Sequence, residues 1–310
     1  EAASLLGVHE RTFRRYGVRY EGAGLQGLID HRLEQVSHRK APVDEVMKVT
    51  ERYRERHSGW SAKHYFAWYR REGGQRSYTW IKSCLQQAGL VKRAKKRGAH
   101  RKRRERSALP GLMVHQDGST HEWVQGQRWD LIVTMDDATG EHCSMFFCAE
   151  EGTASSFHGI GQTIARYGLF CALYSDRGSH YFHTPEAGGK VDRGNPTQVG
   201  RALAQLGIEH IAAYSPEARG RSERAFGTHQ ARLPKELARA GITEMGAANR
   251  YLEQVYMLRH NAEFAVPAAQ PGSAFVPFIG TALPEFLCEH HERVVGNDNC
   301  VRFEGLILQI

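Results

Sequence analysis

The sequence predicts an α/β protein in which a five-stranded mixed sheet follows a helical N-terminal part. Three consecutive strands come first, because short apolar or alternating runs bounded by turn residues occupy 111–118, 127–136 and 141–149. Helices and strands then alternate, with helices predicted at 153–167 and 197–206 and strands at 169–175 and 208–214. Such a succession predicts a mixed sheet with helices on both faces.

A last helix is predicted beyond the fifth strand, because Pro216 and Gly220 interrupt the chain before a run with helical spacing. The complete order is three strands, then helix, strand, helix, strand and helix. This is the order of a ribonuclease-H-like fold. We therefore predict such a core for residues 111–265.

Three acidic residues lie where elements of this predicted core end or begin. Asp117 lies in the first strand, and Asp176 follows the fourth strand beside a glycine that lets the backbone turn. Glu223 lies near the start of the last helix, on the same face as Phe226 and Gln230. Three converging carboxylates are suited to hard divalent cations, since Mg²⁺ takes oxygen ligands. Two such ions can activate an attacking oxygen and stabilise a leaving oxygen on phosphorus.

Other side chains compete for the same role. Asp136 and Asp137 lie in a hairpin turn, where Asp is favoured for backbone reasons. Glu217 precedes the last helix and is predicted to lie outside its inward face. His115 is two residues from Asp117 and points to the same face of the strand. We expect a packed histidine there, with a contact to the site as the alternative.

Two segments around these carboxylates carry a family resemblance. Residues 175–182 (SDRGSHYF) are similar to the S-D-x-G-x-x-[FY] segment of integrase-core transposases, and 220–224 (GRSER) are similar to their N-G-x-x-E-R segment. Arg219 stands where that family usually has Asn. In the order Asp117, Asp176, Glu223 the chain resembles the DDE transposases of bacterial insertion sequences, in the integrase catalytic core (rve) superfamily, and is ISNCY-like. The long spacing between the last two carboxylates indicates a surface insertion at 184–196.

The resemblance implies an enzyme that cleaves DNA ends and transfers strands. It implies that Asp117, Asp176 and Glu223 are catalytic and hold two Mg²⁺ (or Mn²⁺) ions. It also implies double-stranded DNA as the partner, both the terminal inverted repeats of an element and target DNA, bound by a homodimer or higher oligomer. The alternatives are a catalytically silent, sequence-specific DNA-binding regulator and a ribonuclease-H-type nuclease.

Two helical modules are predicted ahead of the core. Residues 1–38 show the pattern of a helix-turn-helix with its turn at Gly7, whose DNA-facing side chains are Arg11, Thr12, Arg14 and Arg15. Leu5 and Leu6 are expected at the apolar end of its first helix, with Val8 and Phe13 facing inward. The alternative for this module is a plain helical hairpin with a solvated basic face. Residues 39–91 predict a second helical DNA-binding module, with Lys82 among its exposed side chains. The aromatic stripe at 65–69 is expected to be core rather than a stacking platform for bases.

The positive charge of the chain is concentrated in one segment. The net charge is +8, and residues 92–106 alone contain ten Lys or Arg and one Glu. We predict that the linker 92–110 contacts DNA phosphates through Arg101, Lys102, Arg103 and Arg104. A merely solvated tether is the alternative.

The remaining features concern the ends of the chain and its class. Residues 266–310 predict a Pro-rich linker followed by the beginning of a small β-barrel, and we expect truncation at both ends, since the chain starts at Glu1 without Met. No apolar run approaches the roughly 20 residues of a membrane span, so no membrane partner is expected. The six cysteines form no CxxC pair, which favours reduced thiols in a cytoplasmic, nucleoid-associated bacterial protein.

Overall fold

The computed structural model describes residues 1–30, 41–93, 105–186, 189–214, 220–280 and 282–310. The chain folds as two compact units, Glu1–Ala94 and Lys95–Ile310. Each unit has a hydrophobic core of its own. No described helix is both long and apolar enough to cross a membrane.

The first unit is helical. Its elements in chain order are α1 (Ala2–Leu5), α2 (Glu10–Ala23), a 3₁₀ turn (Gly24–Leu28), α3 (Val43–Arg56), α4 (Ala62–Arg71) and α5 (Tyr78–Gln87). Side-chain caps start two of the later helices: Ser61 accepts the backbone N–H of His64 at 3.2 Å, and Ser77 that of Trp80 at 3.3 Å. Ser61 and Ser77 are therefore the N-caps of α4 and α5.

Helices α3, α4 and α5 enclose an aromatic core. Tyr65 is buried at its centre and donates its hydroxyl to the carbonyl of Val49 at 3.0 Å. The rest of the aromatic stripe, Phe66, Trp68 and Tyr69, packs against this core, which confirms its predicted role.

The apolar residues of α1 and α2 are packed less closely than predicted. Leu5 and Leu6, expected to be the apolar end of the first helix, are 87% and 62% exposed, and α2 contains no buried residue. Val8 and Phe13 are half-buried, and Ala3 is the buried side chain of α1. A four-residue helix has too little surface to cover both leucines.

The second unit is built on a five-stranded mixed sheet. Its strands are β1 (Val114–Val124), β2 (Gln127–Asp136), β3 (His142–Cys148), β4 (Ala172–Ser175) and β5 (Glu209–Ala212). They lie in the order β3-β2-β1-β4-β5, with the first three antiparallel and the β1–β4 and β4–β5 pairs parallel. The predicted ribonuclease-H-like arrangement of strands is confirmed.

Helices cover both faces of this sheet. They are α6 (Thr153–Tyr167), α7 (Gln198–Gln205), α8 (Gly220–Arg239), α9 (Met245–Tyr251) and α10 (Met257–Phe264), the last two joined by a π-helical turn at Leu252–Tyr256. One apolar core contains residues of α6 and α7, and the other contains residues of α8, α9 and α10. Successive side chains of a strand point alternately into one core and into the other, as a sheet buried on both faces requires.

Two strand boundaries differ from the prediction. β1 continues to Val124 rather than ending at 118, because it pairs with β2 along its whole length as one long hairpin. The predicted strand 169–175 begins only at Ala172, because Leu169 instead forms an isolated bridge with Val276.

The C-terminal segment also departs from expectation. Residues 267–277, predicted as a linker, are bound to the core, since Ala274 donates to the carbonyl of Pro110 at 2.8 Å and Val276 pairs with Leu169. A short α11 (Leu283–Phe286) follows, and then the hairpin of β6 (Cys300–Phe303) and β7 (Leu306–Gln309). This part is therefore a two-stranded sheet, whereas the sequence predicted the beginning of a small β-barrel.

A glycine permits the close approach of α6 to the sheet. A Cβ on Gly159 would lie 2.5 Å from Nε2 of Gln116 and 3.0 Å from Oγ1 of Thr134. The Gln116 amide donates to Thr134 at 3.1 Å and to the carbonyl of Ser156 at 3.3 Å, so it has little freedom to move aside.

We predict that Gly159→Ala lowers the free energy of unfolding by about 2 kcal/mol, because overpacking outweighs the gain in helix propensity. The matched control is Gly227→Ala in α8, where an added Cβ meets no atom within 4 Å. That substitution should be neutral or stabilising by up to about 1 kcal/mol. Denaturant unfolding of the two variants measures the difference, and equal effects would show that α6 is not packed as described.

Candidate active site

Asp117 and Asp176 lie side by side at the point where β4 ends. β1 and β4 pair in parallel at Val114 with Leu173 and at His115 with Tyr174. Continuing this register by two residues places Asp117 beside Asp176. Asp117 is buried with 8% exposure.

The face of the sheet that carries Asp117 follows from its cross-strand partner. Asp117 is paired with Val133 of β2, which belongs to the core beneath α8. Directly paired residues point to the same face. The Asp117 side chain is therefore on the α8 side of the sheet, as are His115 and Ser119.

The loop after β4 is fixed by the carboxylate of Asp176. Its Oδ1 atom accepts the backbone N–H of Gly178 at 2.9 Å. A Cβ on Gly178 would lie 3.1 Å from that oxygen and 3.0 Å from the His180 ring, so a larger residue would disturb the turn. The glycine of the acidic segment thus has a steric role.

Tyr181 shows that several carboxylates gather at this end of the sheet. Its side chain is buried and donates to Oε1 of Gln116 at 2.9 Å. Burial raises the pKa of the Tyr181 hydroxyl well above its usual range, and the charges of three carboxylates raise it further, those of Glu151, Asp117 and Asp176.

Glu151 is a further carboxylate at this end of the sheet that the sequence did not predict, and it lies on the face opposite to Asp117, because Gly118 alternates with Asp117 along β1. Its carboxylate covers Gly118, where an added Cβ would lie 2.1 Å from Oε2. Its Oε1 atom is 3.7 Å from Nε2 of His180. The sequence around Glu151 does not indicate that this residue lies near the candidate site, because its position depends on contacts with distant segments.

Two contacts hold α8, the helix that carries Glu223, against β1. Near one end of the contact, Nε2 of Gln230 donates to Oγ of Ser119 at 3.0 Å. Near the other, Arg221 pairs with Asp137, which also contacts Nε2 of His115 at 2.7 Å. The helix therefore lies along the strand face that bears Asp117.

The spacing of these contacts indicates where Glu223 lies along the strand. The nine helical steps from Arg221 to Gln230 span about 13.5 Å, and the four strand steps from His115 to Ser119 span about 13 Å. Glu223 is two residues beyond Arg221, so its backbone is level with the segment of β1 just before Asp117. Its side chain is exposed. The membership of Glu223 in a triad stays a prediction, supported by this placement of its helix.

Asp137 connects the elements of the site without being a predicted ligand. It is completely buried and accepts from the backbone N–H and the hydroxyl of Ser107 at 2.8 and 2.9 Å, in addition to its contacts with His115 and Arg221. Burial by itself would raise the pKa of Asp137, but the hydrogen bond and charge of His115, together with Ser107 and Arg221, hold it well below its usual range.

The side chains considered as alternatives to the predicted triad differ in the contacts that they make. Asp136 accepts from Gly111 and Thr139, as expected of a turn residue. His115 is buried against Asp137, which confirms the packed histidine. Glu217 lies outside the described residues.

The predicted DNA-binding residues lie mostly on the first unit. Arg11, Arg14 and Arg15 are exposed on α2, whereas Thr12 and Lys82 (α5) are half-buried. The linker residues Arg101, Lys102, Arg103 and Arg104 lie outside the described residues. The binding of all these side chains to DNA stays a prediction.

The fold and the site together define a ribonuclease-H-like core with acidic residues at the edge between β1 and β4. No protein-family model matches the chain. The chain is 34% identical over 229 residues to the putative transposase y4bF of Sinorhizobium fredii, covering 72% of this chain and 49% of that protein. It is 30% identical over 161 residues to the transposase for insertion sequence IS1202 of Streptococcus pneumoniae, covering 52% of this chain and 34% of that protein.

The resemblance to insertion-sequence transposases inferred from the acidic segments is confirmed by these relatives. The chain spans half or less of the length of each. Among solved structures, a chain of the simian T-cell lymphotropic virus intasome, in complex with the PP2A regulatory subunit B56 gamma, is similar with a TM-score of 0.42 and 17% identity, over 66% of this chain and 73% of that one.

We predict that Asp137→Asn lowers the free energy of unfolding by about 3 kcal/mol, because it leaves the partly buried Arg221 and the buried His115 without their ionic partner. Denaturant unfolding measures the loss. Glu209→Gln, an exposed change of the same kind on β5, should stay within about 0.5 kcal/mol of the wild type. An Asp137→Asn protein as stable as this control would contradict the role assigned to Asp137.

Proposed function

We propose that this chain contains the catalytic part of a DDE transposase, which cleaves DNA ends and transfers strands by phosphoryl transfer. The observation that carries the proposal is the arrangement around β1. β1 pairs in parallel with β4 just before Asp117, Asp176 directly follows β4, and Arg221 and Gln230 attach α8, the helix of Glu223, to β1 and its neighbouring turn. Similarity to two curated transposases supports the same reaction class.

The donor set at this site fits divalent cations. Its groups are carboxylates, which are hard oxygen ligands, and several negative charges are close enough to act on one buried phenol. We propose that Asp117, Asp176 and Glu223 hold two Mg²⁺ or Mn²⁺ ions. When bound, such ions activate the attacking oxygen and neutralise the leaving oxygen on phosphorus.

Two hydroxyl side chains near the proposed site are engaged by neighbouring amides and are not suited to be nucleophiles. Tyr181 is buried, its pKa is raised, and its hydroxyl is donated to Gln116, so it is unsuited to attack phosphorus. Ser119 is held by Gln230. A water or a DNA 3′-hydroxyl is therefore the proposed nucleophile, and no covalent protein–DNA intermediate is required.

The site is open on one side because β4 is short. Within the described residues, β1 pairs with β4 only at Val114 and His115, whereas β2 continues alongside it to Val124. The strand beyond Asp117 therefore has a free edge. We propose that the DNA backbone approaches the carboxylates from this edge, on the side where β4 has ended.

We propose double-stranded DNA as the partner, with terminal inverted repeats and target DNA bound by a dimer or higher oligomer. In this proposal the exposed arginines of α2 select the end sequence, and the basic linker binds phosphates without selection.

Asp117→Asn, Asp176→Asn and Glu223→Gln should each reduce strand transfer by at least about 10³-fold while leaving binding of DNA ends nearly intact, because each removes a ligand charge and keeps the shape of the side chain. Strand transfer on oligonucleotide ends with Mg²⁺ or Mn²⁺ measures the first effect, and a gel-shift titration measures the second.

Glu217→Gln is the matched control for Glu223→Gln and should retain strand transfer. A Glu223→Gln protein that still joins ends, beside a Glu217→Gln protein that does not, would overturn the assignment. A wild-type chain that binds ends selectively but never joins them would favour the silent regulator, and cleavage of any duplex without preference would favour a general nuclease.

Neutralising the four basic residues 101–104 should weaken binding to every duplex and flatten the dependence of log K on log salt by about 0.9 for each phosphate that the protein no longer neutralises. Replacing Arg11 or Arg14 should instead reduce the discrimination between end and unrelated sequences. Binding titrations at several salt concentrations separate the two. An unchanged salt slope would contradict the linker's role, and uniform weakening in the Arg11 or Arg14 variants would contradict base recognition.

A further inference from the structure

Three histidines converge in the interior of the second unit, on the side of the sheet covered by α8. His142 comes from β3, His229 from α8 and His260 from α10, and all three are buried. One ring nitrogen of each lies within 4.8 Å of those of the other two. His142 and His229 are 87 positions apart in the chain, so their meeting is a product of the tertiary fold.

The outer nitrogens of two of these rings have the partners that orient metal-binding histidines. Nδ1 of His142 lies 3.3 Å from the carbonyl of Gly140, and Nδ1 of His229 lies 3.1 Å from the hydroxyl of Tyr256. Their Nε2 atoms then face each other at 2.9 Å. A hydrogen bond from the outer nitrogen of a histidine to a carbonyl is typical of metal sites, because it leaves the inner nitrogen with a lone pair.

The third ring carries an unsatisfied atom. His260 is only 7% exposed, and its Nδ1 atom has no hydrogen-bond partner in the described structure. Its neighbour Asn261 fixes the β3 backbone at His142, accepting from that N–H at 2.9 Å and donating to that carbonyl at 3.0 Å. The cluster is thus held rigidly and still contains a buried nitrogen that lacks a partner.

We propose that His142, His229 and His260 form a site for one transition-metal ion, with Zn²⁺ as the ion that fits best. Three imidazole nitrogens are a borderline ligand set that suits Zn²⁺ and offers nothing to Mg²⁺. Nitrogen atoms of a tetrahedral zinc site are about 3.4 Å apart, within the range of separations in this cluster. Three protein ligands leave the fourth position to a water or an anion.

The protonation state and the surrounding charges are compatible with a cation. Burial lowers the pKa of all three histidines, that of His260 to about 4, so the rings are neutral ligands at neutral pH. The nearby Arg232 is paired by Glu263 through two hydrogen bonds of 2.8 and 2.9 Å. Next to His229, burial raises the pKa of the Tyr256 hydroxyl and the charge of Glu236 raises it further, so a negative charge lies near this hydrogen-bond partner of the cluster.

Such an ion would join α8 to β3 and α10. His229 lies six residues after Glu223 on the same helix, so the site would fix the helix that carries the proposed catalytic glutamate without taking part in the reaction. The histidine site requires only the fold, and it remains testable if the proposed catalytic function fails.

The test uses the full chain, free of any histidine tag and freed of metal by dialysis against a chelator. Zn²⁺ is titrated in competition with a chromophoric chelator, and Co²⁺ is added in parallel to record visible absorption. The expected result is one ion per chain and the intense absorption of tetrahedral Co²⁺. Zinc-edge X-ray absorption should show histidine nitrogen ligation.

Substitutions test whether the metal ion binds at the three histidines. His142→Gln, His229→Gln and His260→Gln should each weaken binding by at least about tenfold, because each removes one ligand. His158→Gln, an exposed histidine of α6, and the combined Asp117→Asn, Asp176→Asn, Glu223→Gln protein should bind as the wild type does.

Absence of binding to the wild type, or ligation by oxygen alone, would overturn the proposal, as would retention of affinity in all three cluster variants. If a variant does not fold, the X-ray absorption of the wild type still shows whether histidine nitrogens bind the ion. Loss of strand transfer in the carboxylate variant with zinc retained separates this site from the proposed catalytic one.

Discussion

The buried carboxylate of Asp137 is the interaction on which the rest of the candidate site depends. It joins Ser107, at the entry to the core, with His115 of β1 and Arg221 of α8. His115 is two residues from Asp117, and Arg221 is two residues from Glu223. A charge in the protein interior is tolerated only when it is paired and hydrogen-bonded, so these partners are constrained together. The position of α8 relative to β1 therefore follows from electrostatics as well as from apolar packing.

Local patterns were sufficient to predict the elements that contain most of their own determinants. β2 spans 127–136 and α6 spans 153–167, as the sequence predicted. The predicted strand boundaries are wrong where the length of a strand depends on its pairing with a distant segment. β1 extends beyond its apolar start because it pairs with β2 from Val114 to Val124. Hydrogen-bonding partners that lie far along the chain leave no periodic signal in the segment itself.

The candidate site was predictable to the extent that it follows from topology. The parallel pairing of β1 with β4, from which the proximity of Asp117 and Asp176 is predicted, could be inferred from the order of elements. Glu151 could not, because its carboxylate reaches this end of the sheet through contacts with Gly118 and His180. Turn chemistry explains the contact of Asp136 with Thr139 but not its contact with Gly111, and it does not explain the ionic contacts of Asp137, which come from segments far away in the sequence.

The crowding of carboxylates explains why the site is built on a sheet rather than on loops. Like charges on mobile segments would separate and be solvated, whereas Asp117 is fixed in the longest strand and Asp176 is fixed by its hydrogen bond to Gly178. The two apolar cores on either side of the sheet hold this strand in place. Glu223 lies on a separate helix and has an exposed side chain. In the proposed site, two carboxylates would be positioned by the sheet and the loop after β4, and the third would depend on the contacts of α8 with β1. The attachment of that helix would therefore decide whether the proposed triad assembles.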